Sequence, residues 1–339
     1  MCRRVLALMM AVSGFAAAAD GAESEEGYRL GQGYQISGTG FTLGGYSTMS
    51  VEKLRGETAR TALDDASLFV WWEGEGRWKF FSEIDYENAL SSRDTPRERG
   101  AYLALERLYF DYTLNDATTV RLGKFITPIG RWNLIHATPL VWTTSRPLVT
   151  KNVFPINATG VMVNGTLSSV GSGLEYSLYR SNGHEIRANP AIDPFYEATG
   201  FHLAHPLFSN GQIGFSYARF EQNSTQEEKK RLWGLDYHWA YKRYELSAEA
   251  VSRASQNGSS WEEKGAFVQG VAPLSEKLYA VGRYESFHQA LQPKSMKQWT
   301  LGLTYRMTPA LVFKAEWSGT KDNFIGAPEG FMSSISVLF

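Results

Sequence analysis

Residues 105–125 read LERLYFDYTLNDATTVRLGKF: two stretches in which apolar and polar neighbours alternate, joined at Asn115-Asp116. Successive side chains of a strand point to opposite faces, so two alternating runs with an Asn-Asp break predict a β-hairpin. Past Phe125 the chain has no period of two or of 3.6. Residues 126–157 carry Pro128, Pro139, Pro147 and Pro155 with Trp132 and Trp142. An irregular connection of that length is usually functional or disordered, and this one is too apolar for a solvated linker. It should be packed against something. Its charge is one-sided as well: between Ala117 and Leu174 there is no Asp or Glu, whereas Arg121, Lys124, Arg131, Arg146 and Lys151 all occur.

Upstream, Arg3 and Arg4 precede an apolar run from Val5 to Phe15, and Ala17-Ala18-Ala19 precedes Asp20. That is the pattern of a secretory signal peptide over residues 1–19, with 20–339 as one mature domain. The only cysteine, Cys2, lies in it, so the mature chain is expected to hold together without disulfides. Aromatic residues make up 14% of the chain, while no later stretch is apolar enough for a membrane helix. A membrane barrel, greasy only at every second residue, gives this combination.

Working outward from the hairpin, the alternation repeats. Trp78, Phe80, Ile84 and Tyr86 share one parity, and Lys79, Glu83, Asp85 and Glu87 the other. Trp233, Leu235, Tyr237 and Trp239 oppose Gly234, Asp236 and His238, and Leu311, Phe313, Ala315 and Trp317 oppose Lys314, Glu316 and Ser318. Short connections (73–77, 115–116, 168–173, 208–211, 240–243, 273–276, 308–310) alternate with longer polar ones (53–60, 89–100, 126–157, 181–198, 221–229, 254–262, 288–296, 319–330). Short turns on one rim and long loops on the other is the order of an outer-membrane barrel. The reading is all-β: a transmembrane antiparallel β-barrel of about sixteen strands, with a long third loop, 126–157, folded inward. A soluble sandwich would need an oversized core, and a propeller would need a blade-length repeat that is absent.

In such a barrel the charged parity lines the lumen, because Lys or Arg in mid-bilayer lipid costs about 2–4 kcal/mol. The candidate constriction is Arg121, Lys124, Arg131, His136, Arg146 and Lys151. The opposing lumen wall is Glu83, Asp85, Arg107, Glu245, Glu249, Arg283, Glu285, Lys314 and Glu316. Small inward positions such as Gly123, Ser216 and Thr300 suit a water-filled bore.

Residues 105–112 and 121–133 (LERLYFDY and RLGKFITPIGRWN) resemble bacterial outer-membrane porins, most closely the phosphate-selective porin O/P family. The terminal SSISVLF, ending on Phe339, resembles the signal that such barrels present to the assembly machinery. The resemblance implies sixteen strands, an inward third loop, a homotrimer, a bacterial outer-membrane location in contact with lipid, and passive diffusion of small hydrophilic solutes. It also implies an arginine ladder, which this chain lacks: its inward parity mixes Lys79, Arg107 and Lys314 with Glu83, Asp85 and Glu316.

The acid-free stretch favours small anions, phosphate or other oxyanions among them, since confined positive charge is a device of anion pores. The alternative at this stage is that Arg131 and Arg146 pair with Glu83, Asp85, Glu245 or Glu249 across the bore. Two non-transport readings compete: an outer-membrane enzyme, or a barrel sheathing a partner protein. For the first, no G-x-S-x-G occurs, and His184-Glu185 lacks the second histidine of H-E-x-x-H because position 188 is Ala. The chain is therefore read as no enzyme, with no cofactor. Near-neutral charge gives nucleic-acid binding no support.

Overall fold

The structure, a computed structural model, describes residues 27–92, 100–135, 137–183, 185–190, 192–256 and 262–339. The expected export segment 1–19, with Cys2, and the candidate His136 lie outside the described residues. Two short strands, β1 (Gly27–Arg29) and β2 (Gly33–Ile36), precede β3 (Phe41–Leu54), β4 (Arg60–Glu73), β5 (Trp78–Ser91), β6 (Tyr102–Asn115) and β7 (Thr118–Ile126). After the long loop come β8 (Asn157–Leu167), β9 (Leu174–Asn182), β10 (Phe195–Leu207), β11 (Gly211–Gln222), β12 (Thr225–Tyr241) and β13 (Tyr244–Ser255). The chain finishes through β14 (Glu262–Pro273), β15 (Leu278–Gln289), β16 (Met296–Thr308), β17 (Leu311–Lys321) and β18 (Gly330–Leu338).

From β3 onward each strand pairs antiparallel with the next, and β18 returns to β3, from Gly330↔Leu54 to Leu338↔Tyr46. The result is a closed barrel of 16 strands. The alternation behaves as read from the sequence. Leu103, Phe110, Leu122, Leu178, Leu235 and Leu301 are exposed on the outside, while Glu83, Asp85, Lys314 and Glu316 are buried on the inside. Exposed Trp78, Tyr241, Tyr244 and Tyr305 lie toward the short-turn rim, and exposed Tyr86, Trp233, Trp299 and Trp317 toward the other. These are the two aromatic girdles of a barrel that meets two lipid interfaces.

Three features go beyond a rule of apolar outside and charged inside. Glu83 pairs with Arg107 but Ile84 with Leu105, so Glu106 is an extra residue on β6. This bulge turns Glu106 and Arg107, sequence neighbours, both to the inside, where each is buried. Next, the inner wall is partly aromatic: Tyr46, Phe69, Phe81 and Tyr109 form a row across β3–β6, with successive ring centroids 5.7, 5.7 and 5.5 Å apart. Finally, where β18 runs out, β2 takes over as the partner of β3, through Tyr34↔Leu43 and Ile36↔Phe41.

One expected loop is corrected. Residues 221–229 are mostly strand, since β11 and β12 run on to Gln222↔Thr225 and leave only Asn223 and Ser224 to turn. Both strands extend past the apolar band, where their outward side chains are polar and the apolar alternation stops marking them.

Gly123 has a backbone role rather than a spacious one. Its φ is +130°, and a Cβ there would sit 2.2 Å from the Leu108 carbonyl oxygen. Gly123→Ala is therefore expected to destabilise the barrel by about 1–3 kcal/mol, read as a lower urea midpoint for the detergent-refolded protein. An unchanged midpoint would show that β6 and β7 can separate at no cost.

Candidate functional site

The loop between β7 and β8 enters the lumen and crosses it. Its neck is tied first: Thr127 N donates to Ile156 O at 2.7 Å, and the Thr127 hydroxyl to Pro155 O at 3.0 Å. Asn133, at the start of the one-turn helix α1 (Trp132–Ile135) and fully buried, donates to Thr127 O at 2.8 Å and Ile156 O at 3.2 Å. Gly130 lets the chain pass close to the wall. Its φ is +66°, a Cβ would lie 2.5 Å from Glu249 Oε2, and its N–H donates to Ser216 Oγ at 3.1 Å.

Beyond the neck the far wall holds the loop, mostly by its backbone. Glu249 accepts from Trp132 N at 2.5 Å, and Glu245 from Trp142 Nε1 at 2.7 Å. Glu316 accepts from Thr144 N at 2.8 Å and Ser145 N at 2.9 Å. Glu285 accepts from Leu148 N at 2.6 Å, at the start of the second short helix, α2 (Leu148–Asn152). The cations serve the carbonyls and hydroxyls. Arg283 donates to Thr143 Oγ1 at 2.5 Å, Ser145 O at 3.0 Å, Ser145 Oγ at 2.7 Å and its neighbour Glu285 at 2.7 Å. Lys314 donates to Thr138 O and Thr143 O. A buried backbone N–H or C=O must find a partner, and charged side chains on β13, β15 and β17 supply them. The loop's apolar residues, Ile129, Leu148, Val149, Val153 and Phe154, are buried in one cluster with the aromatic row of β3–β6.

The nine wall residues thus divide. Glu245, Glu249, Arg283, Glu285, Lys314 and Glu316 grip the loop. Glu83 and Arg107 form a buried ion pair at 2.5 Å, and Arg107 stacks 4.5 Å from the Phe81 ring centroid. Asp85 lies in an inward acidic group on β4–β6 with Asp65, Glu87 and Glu106.

The five constriction candidates among the described residues divide as well. Arg121 holds Asp111 bidentately, both bonds at 2.8 Å, and lies 3.7 Å over Tyr109. Lys124 is fully buried on Glu185 at 2.7 Å and donates to Arg187 O at 3.1 Å. Both are neutralised by neighbours on their own side of the barrel. The loop's own cations take no acid partner among the described residues. Arg131 donates to Gln212 Oε1 at 3.2 Å, and Arg146 to Asn133 Oδ1 at 2.6 Å while lying 4.8 Å over Trp132. Lys151 is exposed to lumen water. The cross-bore pairing of Arg131 and Arg146 with Glu83, Asp85, Glu245 or Glu249, open from the sequence, does not occur. Burial pushes Arg131 and Arg146 down, Arg146 to about 10 against the pull of Glu106 and Glu249. At neutral pH Arg146 is charged.

Sequence reasoning missed the part played by residues 185–189. Glu185 caps Lys124, and Asn189 donates to Glu87 at 2.9 Å and Glu106 at 3.1 Å. Burial raises Glu185, opposed by Lys124. The sole signal in the chain was His184-Glu185, which resembled part of a metal motif. Below the crossing loop, toward the short turns, lies a cavity of about 530 Å³ lined by Arg107, Tyr109, Arg121, Arg131, Glu175 and His202.

The grip gives a direct expectation. Each charge-assisted hydrogen bond to the loop contributes about 1.5–3 kcal/mol, so Glu285→Ala with Glu316→Ala should release the stretch around residues 143–148. Larger and noisier single-channel conductance in planar bilayers, with protease cleavage inside 126–157, would report that release. Conductance and cleavage like the wild type would show that apolar packing alone holds the loop.

A protein-family model described as "Putative beta-barrel porin-2, OmpL-like" matches residues 82–332, most of the chain. An uncharacterized protein of Aquifex aeolicus is 22% identical over 340 residues, covering 84% of this chain and 76% of the relative. Three solved structures share the fold at low identity. OmpF of Salmonella typhi, in complex with daunomycin, superposes with a TM-score of 0.66 at 10% identity, covering 89% of this chain and 98% of that one. An anion-selective porin from Comamonas acidovorans gives 0.59 at 14% identity, with 88% and 98% covered. In-vitro folded OmpT of Vibrio cholerae, in its trimer form, gives 0.56 at 8% identity, with 88% and 99% covered. Porin families are typically not enzymes. With a closed 16-strand wall, a lumen-crossing third loop and a family match over most of its length, the chain belongs to the OmpL-like β-barrel porin-2 family and is a porin-like outer-membrane channel.

Proposed function

We propose that the channel passes small hydrophilic solutes by diffusion and prefers small anions where the 126–157 loop narrows it. The observation that carries this is the state of Arg131, Arg146 and Lys151: charged side chains on an acid-free loop, none in an ion pair among the described residues. The wall carboxylates nearest the loop, on Glu249, Glu285 and Glu316, already accept its backbone N–H groups. Low-dielectric walls strengthen the field of these cations, which carry no direct ion pair among the described residues, and Arg or Lys groups at a narrowing select for anions. Phosphate is one candidate among oxyanions, but no arginine ladder supports preferring it to others.

A second reading rests on the acidic group of β4–β6, Asp65, Asp85, Glu87 and Glu106, which shares the lumen with the loop cations. Acids and bases on different parts of one bore produce a transverse field, which orders water and admits solutes of either sign. Export by residues 1–19 and assembly as a trimer, the form in which Vibrio cholerae OmpT is described, belong to the same proposal.

Reversal potentials across a salt gradient decide between the two. Several-fold anion preference is expected in the wild type, falling toward unity in Arg131→Ala/Arg146→Ala/Lys151→Ala. Because buried Arg146 loses its proton more readily than a free guanidinium, the preference should also decline as pH is raised toward 10. Cation preference in the wild type, or an unchanged ratio in the triple variant, would overturn the anion reading.

A further inference from the structure

We propose that the outer face of β9–β12, near the long-loop rim, is a seat for the phosphate of an anionic lipid headgroup. The register brings Arg180 opposite Thr199, Thr199 opposite Arg219, and Arg219 opposite Arg231, one row across four adjacent strands. All three arginines are exposed on the lipid-facing parity. With neighbouring strands about 4.8 Å apart, the row is about 14 Å long. Like charges directly opposite on one face of a sheet destabilise it, and Arg219 and Arg231 are such a pair. Neither is in an ion pair among the described residues. Arg180 donates to Asn182 Oδ1 at 3.2 Å and reaches Glu197 only at 3.9 Å, with both side chains more than half exposed.

The neighbours of the row give the chemistry of its occupant. Toward mid-membrane, Phe201, Phe215, Tyr217 and Trp233 form a cluster of rings with centroids 4.4–5.9 Å apart. Above them the surface dips into a depression of about 870 Å³, where the small Thr199 sits among Leu178, Phe201, Tyr217 and the charged Arg180 and Arg219. Lys229 adds another cation at its rim end, against Glu197 and Glu221. An apolar floor under a row of cations matches a lipid, with an acyl chain over Thr199 and Phe201 and the phosphate bridging Arg219 and Arg231. Arginines at this depth reach out to the headgroup level on their apolar stems, and basic groups there attract anionic lipid. A free anion would have no use for the floor, and a protein partner would have to bring carboxylates to the same level. The inference concerns the outside of the barrel and is independent of what the lumen conducts.

The test is lipid selectivity by electron spin resonance, using the whole barrel in phosphatidylcholine vesicles doped with spin-labelled phosphatidic acid or spin-labelled phosphatidylcholine. The wild type should hold phosphatidic acid several-fold more strongly. Arg180→Gln/Arg219→Gln/Arg231→Gln should bring the ratio close to one with the barrel melting at the same or a higher temperature, because the substitutions remove repulsion from an exposed face. Lys264→Gln, an exposed rim cation on β14 paired with Glu262, should leave the ratio as it was. No preference in the wild type, or a preference that survives the triple substitution, would overturn the proposal. So would displacement of the bound lipid by millimolar inorganic phosphate, which would mark a free-anion site. Loss of the oligomer in the triple variant with unaltered lipid selectivity would assign the row to a contact between copies, and would also overturn it.

Discussion

Inside a bilayer no water is at hand for an unpaired peptide group, so the sheet has to close on itself. That requirement governs the molecule. The pairing of β18 with β3 removes the last free edge, and Gly45 and Phe339 exchange both backbone bonds at 2.9 Å where the seam finishes. The short β2 covers the part of β3 that β18 does not reach. Once the cylinder is closed, period-two chemistry decides the rest: one parity must suit lipid, and the other is left to face whatever fills the bore.

The same accounting applies to the loop. A 30-residue irregular segment inside a barrel brings many peptide groups away from bulk water, and an apolar wall could not satisfy them. Here acids on β13, β15 and β17 accept its N–H groups, while Arg283 and Lys314 take up its carbonyls. An inner wall of mixed sign results from this task, because a peptide backbone needs acceptors and donors alike. The aromatic row of β3–β6 meets the loop's aliphatic side chains in the same way. Much of the lumen chemistry therefore serves to hold the loop, and less of it than its charge count suggests is left to meet a solute.

This division explains what the sequence could and could not disclose. Strand positions and closure order were legible because lipid imposes a strict period on every spanning segment, and the inward third loop because it breaks that period while staying apolar and rich in Pro and Trp. Loop 221–229 was misjudged where strands leave the membrane and the period lapses. The inside obeys no such rule. Nothing in the alternation foretells that Glu106 is a bulge residue, that the inward rings of Tyr46, Phe69, Phe81 and Tyr109 stack in one row, or that Lys124 meets Glu185. Those are contacts between residues far apart in the chain, set by curvature and register. The acid-free stretch was visible as composition, but which of its five cations went without an ion-pair partner depended on three-dimensional neighbours alone.

The wall grips the loop chiefly through peptide groups, and only a few of the loop's side chains, such as those of Thr143, Ser145 and Trp142, take part. A peptide group is the same whatever residue carries it. A position such as Lys151, which no wall group among the described residues holds, can therefore mutate without loosening the crossing segment, so permeability can drift over generations while the cylinder and its mooring stay intact. The insert behaves as an exchangeable cartridge in a fixed housing.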